Sequence, residues 1–170
     1  SVEIMRGCPG VCIFCQAKRF YGRTRIKDLE TILEEIGHGV EDSGIGDVSL
    51  LGLSCGDYPR IDELLDRANS YLLPRNASLS LPSLRADSFS EEICMQLGRF
   101  RKGGFTFAPE AGSDNLRRKL GKNISNDQIL GAIDTVLSHG GTGVKLYFMI
   151  GIPGETDDDI QAIIDLCRST

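Results

Sequence analysis

Short apolar runs alternate with helix-period stripes from one end of the chain to the other. Val2 to Met5 reads as a first strand that runs straight into a cysteine-rich turn. Beyond Asp28, the residues Leu29, Ile32, Leu33, Ile36 and Val40 fall at i, i+3, i+4, i+7 spacing, which places them on one face of a helix. Asp47 to Leu53 forms a second strand closed by Ser54, Cys55, Gly56 and Asp57, and Ile61, Leu64, Leu65, Ala68 and Leu72 mark the next helix. Ala77 to Leu84 is a third strand. Ser88 with Glu91 three residues later has the spacing of a capping box, and the helix it opens is expected to bury Phe89, Ile93, Leu97 and Phe100. Phe105 to Ala108 is a fourth strand. After it, Ser113 caps a short helix through Leu120, and Ser125 with Gln128 caps a longer one carrying Ile129, Ile133, Val136 and Leu137. Val144 to Ile152 is near-continuously apolar, which suits a fifth strand covered on both faces. Gly151 to Gly154 turns the chain into a last helix, opened by Thr156 and three aspartates, with Ile160, Ile163, Ile164 and Cys167 on its stripe.

Strand–helix units in series predict an α/β fold of parallel strands joined by right-handed crossovers. Periodicity alone does not separate an open doubly wound sheet from a barrel, and an eight-fold barrel needs ~250 residues, more than the 170 here. In either architecture the loops at the carboxyl ends of the strands carry function. No Pro/Ser-rich linker, low-complexity tract or long charge block interrupts the pattern, so a single domain over residues 1–170 is expected.

Composition narrows the classes. The chain is 41% hydrophobic and 25% charged, ordinary for a globular protein with its own core. No apolar run reaches the ~18 residues of a membrane span, and SVEIMRGC lacks the basic-then-apolar pattern of a signal peptide, so a cytoplasmic setting and no membrane partner are expected. Nineteen Lys and Arg against 24 Asp and Glu leave a net charge of −5, which argues against general nucleic-acid coating but not against a local basic site. A start at Ser1 suggests a piece of a longer protein.

Cysteine usage is uneven. Cys8, Cys12 and Cys15 crowd one turn, whereas Cys55, Cys94 and Cys167 are scattered, a poor disulfide framework but a plausible metal nest. The C-x3-C-x2-C spacing gathers thiolates able to bind a soft metal centre, with Pro9 and Gly10 letting the backbone curl around it. Ferredoxin-type runs carry a fourth nearby cysteine, and none occurs here before Cys55. Three ligands on a four-iron cube leave one iron open for a substrate or cofactor. A structural zinc site usually has four ligands, which Cys55 could complete from the same rim, and three unrelated buried cysteines are the other alternative.

A short strand ending in C-x3-C-x2-C, with Phe14 just before the last cysteine, resembles the radical S-adenosylmethionine (SAM) superfamily. The segments RGCPGVCIFCQAKRFYGRTR, LPSLRADSFS and FTFAPEAGSDNLRRKLGKNIS resemble, more narrowly, a little-characterised subgroup in which the radical domain follows a cobalamin-binding domain. That subgroup is related to methylthiotransferases and the elongator catalytic subunit. The resemblance implies a partial (β/α)6 TIM-like barrel, with about five strand–helix units present and the sixth outside this radical SAM core domain. It implies a [4Fe-4S] cluster on Cys8, Cys12 and Cys15 that reductively cleaves SAM to methionine and a 5′-deoxyadenosyl radical, and cobalamin held by a domain outside this chain. The protein's tasks are then to orient SAM, tune the cluster and keep water from the radical.

Carried over residue by residue, the resemblance places Phe14 near the adenine. Ser54, Cys55, Gly56 and Asp57 match the motif for the SAM amino group, although the usual glutamate and second glycine are not seen. Ser83 and Arg85 match positions for ribose and carboxylate, Arg being suited to bidentate carboxylate binding. Glu110 would accept from ribose hydroxyls, and Gly151, Ile152 and Pro153 would pack along the adenine. Against this, Ser54 and Gly56 have a plain turn reading, and Arg85 and Glu110 one as a surface ion pair. No catalytic residue is assigned beyond the cluster.

The remaining candidates read mostly as structure. Lys18 to Lys27, KRFYGRTRIK, interleaves Lys18, Arg19, Arg23, Arg25 and Lys27 with Phe20 and Tyr21, a pattern suited to RNA, an acidic substrate or a neighbouring domain; a solvated loop is preferred because the net charge is negative. His38 and His139 suit helix C-termini, Cys94 and Cys167 suit the core, and Arg117, Arg118, Lys119 and Lys122 suit dipole compensation at a helix end. The expected partners are an electron donor, an unidentified substrate and further domains of the same protein. Methylthiotransferase-like modification of RNA or protein, and a non-catalytic zinc or iron–sulfur module, are the competing functions. An open sixth-strand edge is an expected aggregation risk.

Overall fold

A computed structural model describes residues 1–100 and 103–170 of the chain. The first predicted strand is two short pieces, β1 (Val2–Glu3) and β2 (Met5–Arg6). Helix α1 (Ala17–Tyr21) follows the cysteine turn, and β3 (Arg25–Ile26) returns antiparallel to β2, pairing Met5 with Ile26. Asp28 then caps α2 (Leu29–Ser43), its carboxylate accepting from the backbone N–H groups of Glu30 and Thr31, and Gly44 ends the helix in the left-handed conformation. Next come β4 (Asp47–Leu51), α3 (Ile61–Leu72), β5 (Ser78–Ser80) and α4 (Glu91–Leu97). Strand β6 (Gly104–Glu110), helices α5 (Asp114–Lys119) and α6 (Asn126–Ser138), strand β7 (Gly143–Phe148) and helix α7 (Asp157–Arg168) complete the chain.

The strands form a parallel three-stranded sheet, β1-β4-β5, and a parallel pair, β6-β7. Among the described residues no hydrogen-bonded ladder joins β5 to β6, so the α/β arrangement is a partial barrel and not a closed one. A groove of about 560 Å³ lies between them, lined by Leu79, Leu81, Phe105 and Thr106 among others. Two cores match the two sheets. Ile4, Leu50, Leu64, Leu65 and Leu72 are fully buried on one side, and Phe107, Ile129, Ile133 and Val136 fill the other. Burying each such side chain contributes about 1.5–3 kcal/mol. Phe89 bridges them, edge-on to Phe105 at 5.1 Å and to Phe107 at 5.2 Å.

Several local expectations are corrected. The cap of α4 is Ser90, whose hydroxyl accepts from the Ile93 N–H, while Ser88 sits in a 3-10 turn before it. Phe100 lies beyond the end of α4 and is exposed, as are Leu137 and Ile164. Strand β7 is not covered on both faces: Lys145 and Tyr147 face solvent, because among the described residues it pairs only with β6. Cys167 is exposed on α7, where Leu166 is the residue that reaches the core. The cap read at Ser125 forms as a capping box with Gln128, and Thr156, read only as the opening of α7, makes a second one with Asp159.

Candidate cofactor site

Gly7 opens the cysteine turn with φ +90°, and a Cβ there would stand 3.2 Å from the Thr24 Cα, so glycine lets the turn leave β2 beside the returning strand. The turn is held from the other side by α5. The Ile13 N–H donates to the Leu120 carbonyl at 2.9 Å. Gly121, at φ +73°, lies so close to Val11 that a Cβ would stand 2.6 Å from its carbonyl oxygen. A fixed loop is thus built from two segments more than a hundred residues apart in the chain.

All three cysteines of this loop are free thiols, Cys8 and Cys12 half-buried and Cys15 exposed. Backbone N–H groups already point at two of the sulfurs, Gly10 to Cys8 Sγ at 3.3 Å and Ala17 to Cys15 Sγ at 3.5 Å. A Cβ on Gly10 would lie 3.3 Å from Cys8 Sγ and 4.0 Å from Cys12 Sγ, so these two sulfurs flank it. Burial pushes the Cys12 thiol up from its ordinary range, while the charges of Lys122 and Arg85 draw it down. Among the described residues, no group of three or more His, Cys, Asp or Glu side chains converges on a single ion. A four-iron cube takes each thiolate on a separate corner and does not require such convergence.

Cys55 stands elsewhere. It is fully buried in the core, its thiol directed toward the carbonyls of Leu50 and Gly52, and burial pushes it up to about 11. The expectation that this thiol could close a four-cysteine site is corrected. The packing reason is Gly52, where a Cβ would collide with Met5 and Cys55 and keep the thiol from lying there. Around it, the buried Ser54 hydroxyl donates to the Asp57 carboxylate at 2.5 Å. The Cys55 N–H donates to the Ser83 carbonyl at 2.9 Å, which joins the turns after β4 and β5. Gly56 is the close-approach point, since a Cβ there would stand 2.7 Å from the Ser88 hydroxyl.

Arg85 and Glu110 do not pair with each other. Arg85 forks onto Asp87 at 2.9 and 2.6 Å, with Asp57 4.0 Å away, and the Asp87 partnership raises its already high pKa. One guanidinium nitrogen reaches Gly10, 3.0 Å from where its Cβ would be. Glu110, at φ +74°, receives the Lys122 ammonium at 3.0 Å. Pro109 has no N–H to donate, and the β6-β7 register shifts between Phe107 and Glu110. Past β7, Gly151 at φ +86° donates its N–H to Glu155 Oε2 at 2.7 Å. Glu155 Oε1 is buried with no hydrogen-bond partner among the described residues. Ile152 packs on Ala111, Leu116 and Leu120, whereas Pro153 and Phe14 are exposed.

Sequence reasoning missed two buried cations in the same region. Arg117 is fully buried and donates to the carbonyls of Ala111, Gly112 and Ile124 and to the side chains of Asn126 and Asp114. Lys122, also buried, bonds to the Ala108 carbonyl as well as to Glu110. Their helix-end setting suggested dipole compensation, and only the curl of the chain over α5 supplies the carbonyls that enclose them. Arg118 and Lys119 are exposed at the end of α5, and the Lys18 to Tyr21 segment is exposed too.

Comparison with known proteins places this arrangement among relatives. The family model for the Radical SAM superfamily matches residues 2–167. An uncharacterized protein of Methanocaldococcus jannaschii is 38% identical over 167 residues, taking in 98% of this chain and 36% of that protein. The ribosomal protein uS12 methylthiotransferase RimO of Pseudothermotoga lettingae is 27% identical over 174 residues, 96% of this chain and 40% of that protein. The radical S-adenosylmethionine methyltransferase TsrM of Kitasatospora setae, with cobalamin and a [4Fe-4S] cluster bound, shares the fold at TM-score 0.79 and 18% identity, over 99% of this chain and 34% of that one. The chain therefore spans between about a third and two-fifths of the length of these proteins. Among the described residues no helix is long and apolar enough to cross a membrane.

Proposed function

Because this chain belongs to the Radical SAM superfamily, we propose that it is the core domain of an enzyme that cleaves SAM reductively at a [4Fe-4S] cluster held by Cys8, Cys12 and Cys15. One observation carries the reading: three free thiols share one braced loop, two of them already receiving backbone N–H groups, and no fourth cysteine reaches it. Soft thiolates with N–H donors are the donor set that iron–sulfur clusters take. Those three thiolates would hold the cluster, which would supply the chemistry for reductive cleavage of the SAM sulfonium bond with one electron from an external donor.

The chain's own groups then hold and orient. The Gly10 and Ala17 N–H groups point at the sulfurs of Cys8 and Cys15, and the charges of Lys122 and Arg85 work against the burial that pushes the Cys12 thiol up. Asp57, fixed by the Ser54 hydroxyl, offers carboxylate oxygen to an ammonium. Arg85, pinned by Asp87 beside Gly10, presents cationic edge to a carboxylate. Ser83 and Glu110 would accept from ribose hydroxyls, and the orphaned Glu155 oxygen calls for a donor at the rim formed by Gly151, Ile152 and Pro153. Phe14, exposed beside Cys15, offers a ring face to the adenine.

An oxidation-sensitive cluster suits a reducing, cytoplasmic compartment. Anaerobic reconstitution with iron and sulfide is the test. Expected are four-iron stoichiometry, a spin-resonance signal that shifts on adding SAM, and loss of both in the Cys8→Ala, Cys12→Ala and Cys15→Ala variants. Stoichiometric zinc with no response to SAM would establish the non-catalytic alternative instead.

A further inference from the structure

The segment leaving the cysteine loop is built as a projecting finger. Helix α1 buries none of its residues, and β2 and β3 carry it as the two legs of a hairpin. Phe20 is 81% exposed and Tyr21 stands beside it, edge-on at 5.0 Å between ring centroids. Lys18, Arg19, Arg23 and Arg25 are exposed, and among the described residues none of the four makes an ion pair. No acidic residue falls between Lys18 and Lys27. In a chain of net charge −5, these four cations around two solvent-facing rings, with Arg25 also within reach of the Glu3 charge, form a local field opposite in sign to the whole. The cations of the hairpin legs differ: Arg6 is neutralised by Glu3 and Lys27 by Glu35.

We propose that this finger is a docking surface for single-stranded nucleic acid, with Lys18, Arg19, Arg23 and Arg25 on phosphates and Phe20 and Tyr21 stacking unpaired bases. The chemistry favours this partner over an acidic peptide, because a peptide needs the charges but leaves an 81% exposed phenyl ring in water, whereas every base offers a face to stack on it. It favours a single strand over a duplex, whose bases are already stacked. Only Gln16 separates α1 from Cys15, so a strand held on the finger lies at the mouth of the candidate cofactor site. The surface goes beyond the SAM-cleavage reading and does not depend on it, since it needs no cluster.

The test is fluorescence anisotropy of the full chain, without cluster, against a labelled single-stranded RNA of about 15 nucleotides. Binding is expected to weaken between about 50 and 200 mM salt with a log–log slope near −0.7 per phosphate engaged, or about −2 to −3 for the four cations. Phe20→Ala, at an exposed position, is expected to weaken binding about ten- to a hundredfold, and Arg19→Gln with Arg23→Gln to flatten the salt slope. Circular dichroism confirms that both variants fold. Absence of salt-dependent binding overturns the proposal and leaves the finger as a seat for another part of the polypeptide. Polyglutamate competing as well as unlabelled RNA, with Phe20→Ala indifferent, overturns it in favour of an acidic protein partner. Failure of cluster reconstitution would touch neither result.

Discussion

The Lys122 ammonium donates a 3.0 Å hydrogen bond to the Glu110 carboxylate, an ion pair whose two side chains are only 8% and 17% exposed. It ties the turn after α5, which braces the cysteine loop, to the carboxyl end of β6. Removing one partner of such a pair leaves the other charge enclosed, which costs more than the intact pair contributes. Lys122→Met is expected to destabilise the fold by about 3 kcal/mol, read from the urea midpoint at unchanged slope. A variant as stable as wild type would show that the pair is solvated in practice.

Arg117 is the second buried cation, and its effect is expected to be larger. Its guanidinium satisfies three carbonyls and the Asn126 side chain, so Arg117→Met strands several acceptors at once and is expected to cost about 3–5 kcal/mol. Arg117→Lys keeps the charge but has no planar fork to reach both Ile124 and Ala111. Chemical denaturation of both variants is the measurement, and rescue by lysine would contradict the geometric account.

Glycine substitutions separate close approach from mere flexibility. Gly112 lies against the backbone of α7 between Asp159 and Ile163, so Gly112→Ala forces helix and loop apart, at a cost of about 1–3 kcal/mol or more. Gly39 sits inside α2 with open space where its Cβ would go. Gly39→Ala is expected to stabilise by about 0.5–1 kcal/mol. Thermal melts of the two should move in opposite directions.

The Cys55 thiol keeps its proton in the folded state to about pH 11, because burial disfavours the thiolate. The stability this contributes is complete below the ordinary thiol pKa of about 8.5 and is lost as pH climbs through about 11, since the unfolded chain ionises first. Wild type is expected to lose more stability than Cys55→Ala across that alkaline window. At pH 8, iodoacetamide should label exposed Cys15 well before Cys55, as mapped by mass spectrometry.

Much of the site was legible because it rests on short-range chemistry. The C-x3-C-x2-C turn, the caps at Asp28, Ser113, Ser125 and Thr156, and the strand–helix alternation need only neighbours along the chain. Misreadings fell where two local patterns tied. Ser88 and Ser90 each precede a helical stripe with an acidic residue two or three positions on, and contact with Gly56 engages Ser88 elsewhere. The apolar run at β7 suggested cover on both faces, a property set by how many strands and helices lie beside it and not by its own residues.

The sequence by itself determined the fold class, the order of strands and helices, and which turn gathers the thiols, because hydrophobic period and capping act over a few residues. Only the tertiary structure decided that Cys55 faces the core, that Arg85 is held by Asp87, and that Arg117 and Lys122 are enclosed. The physical reason is the same in each case. A polar or ionisable group is stable wherever partners converge on it, and the carbonyls and carboxylates that converge come from segments whose meeting no local pattern encodes.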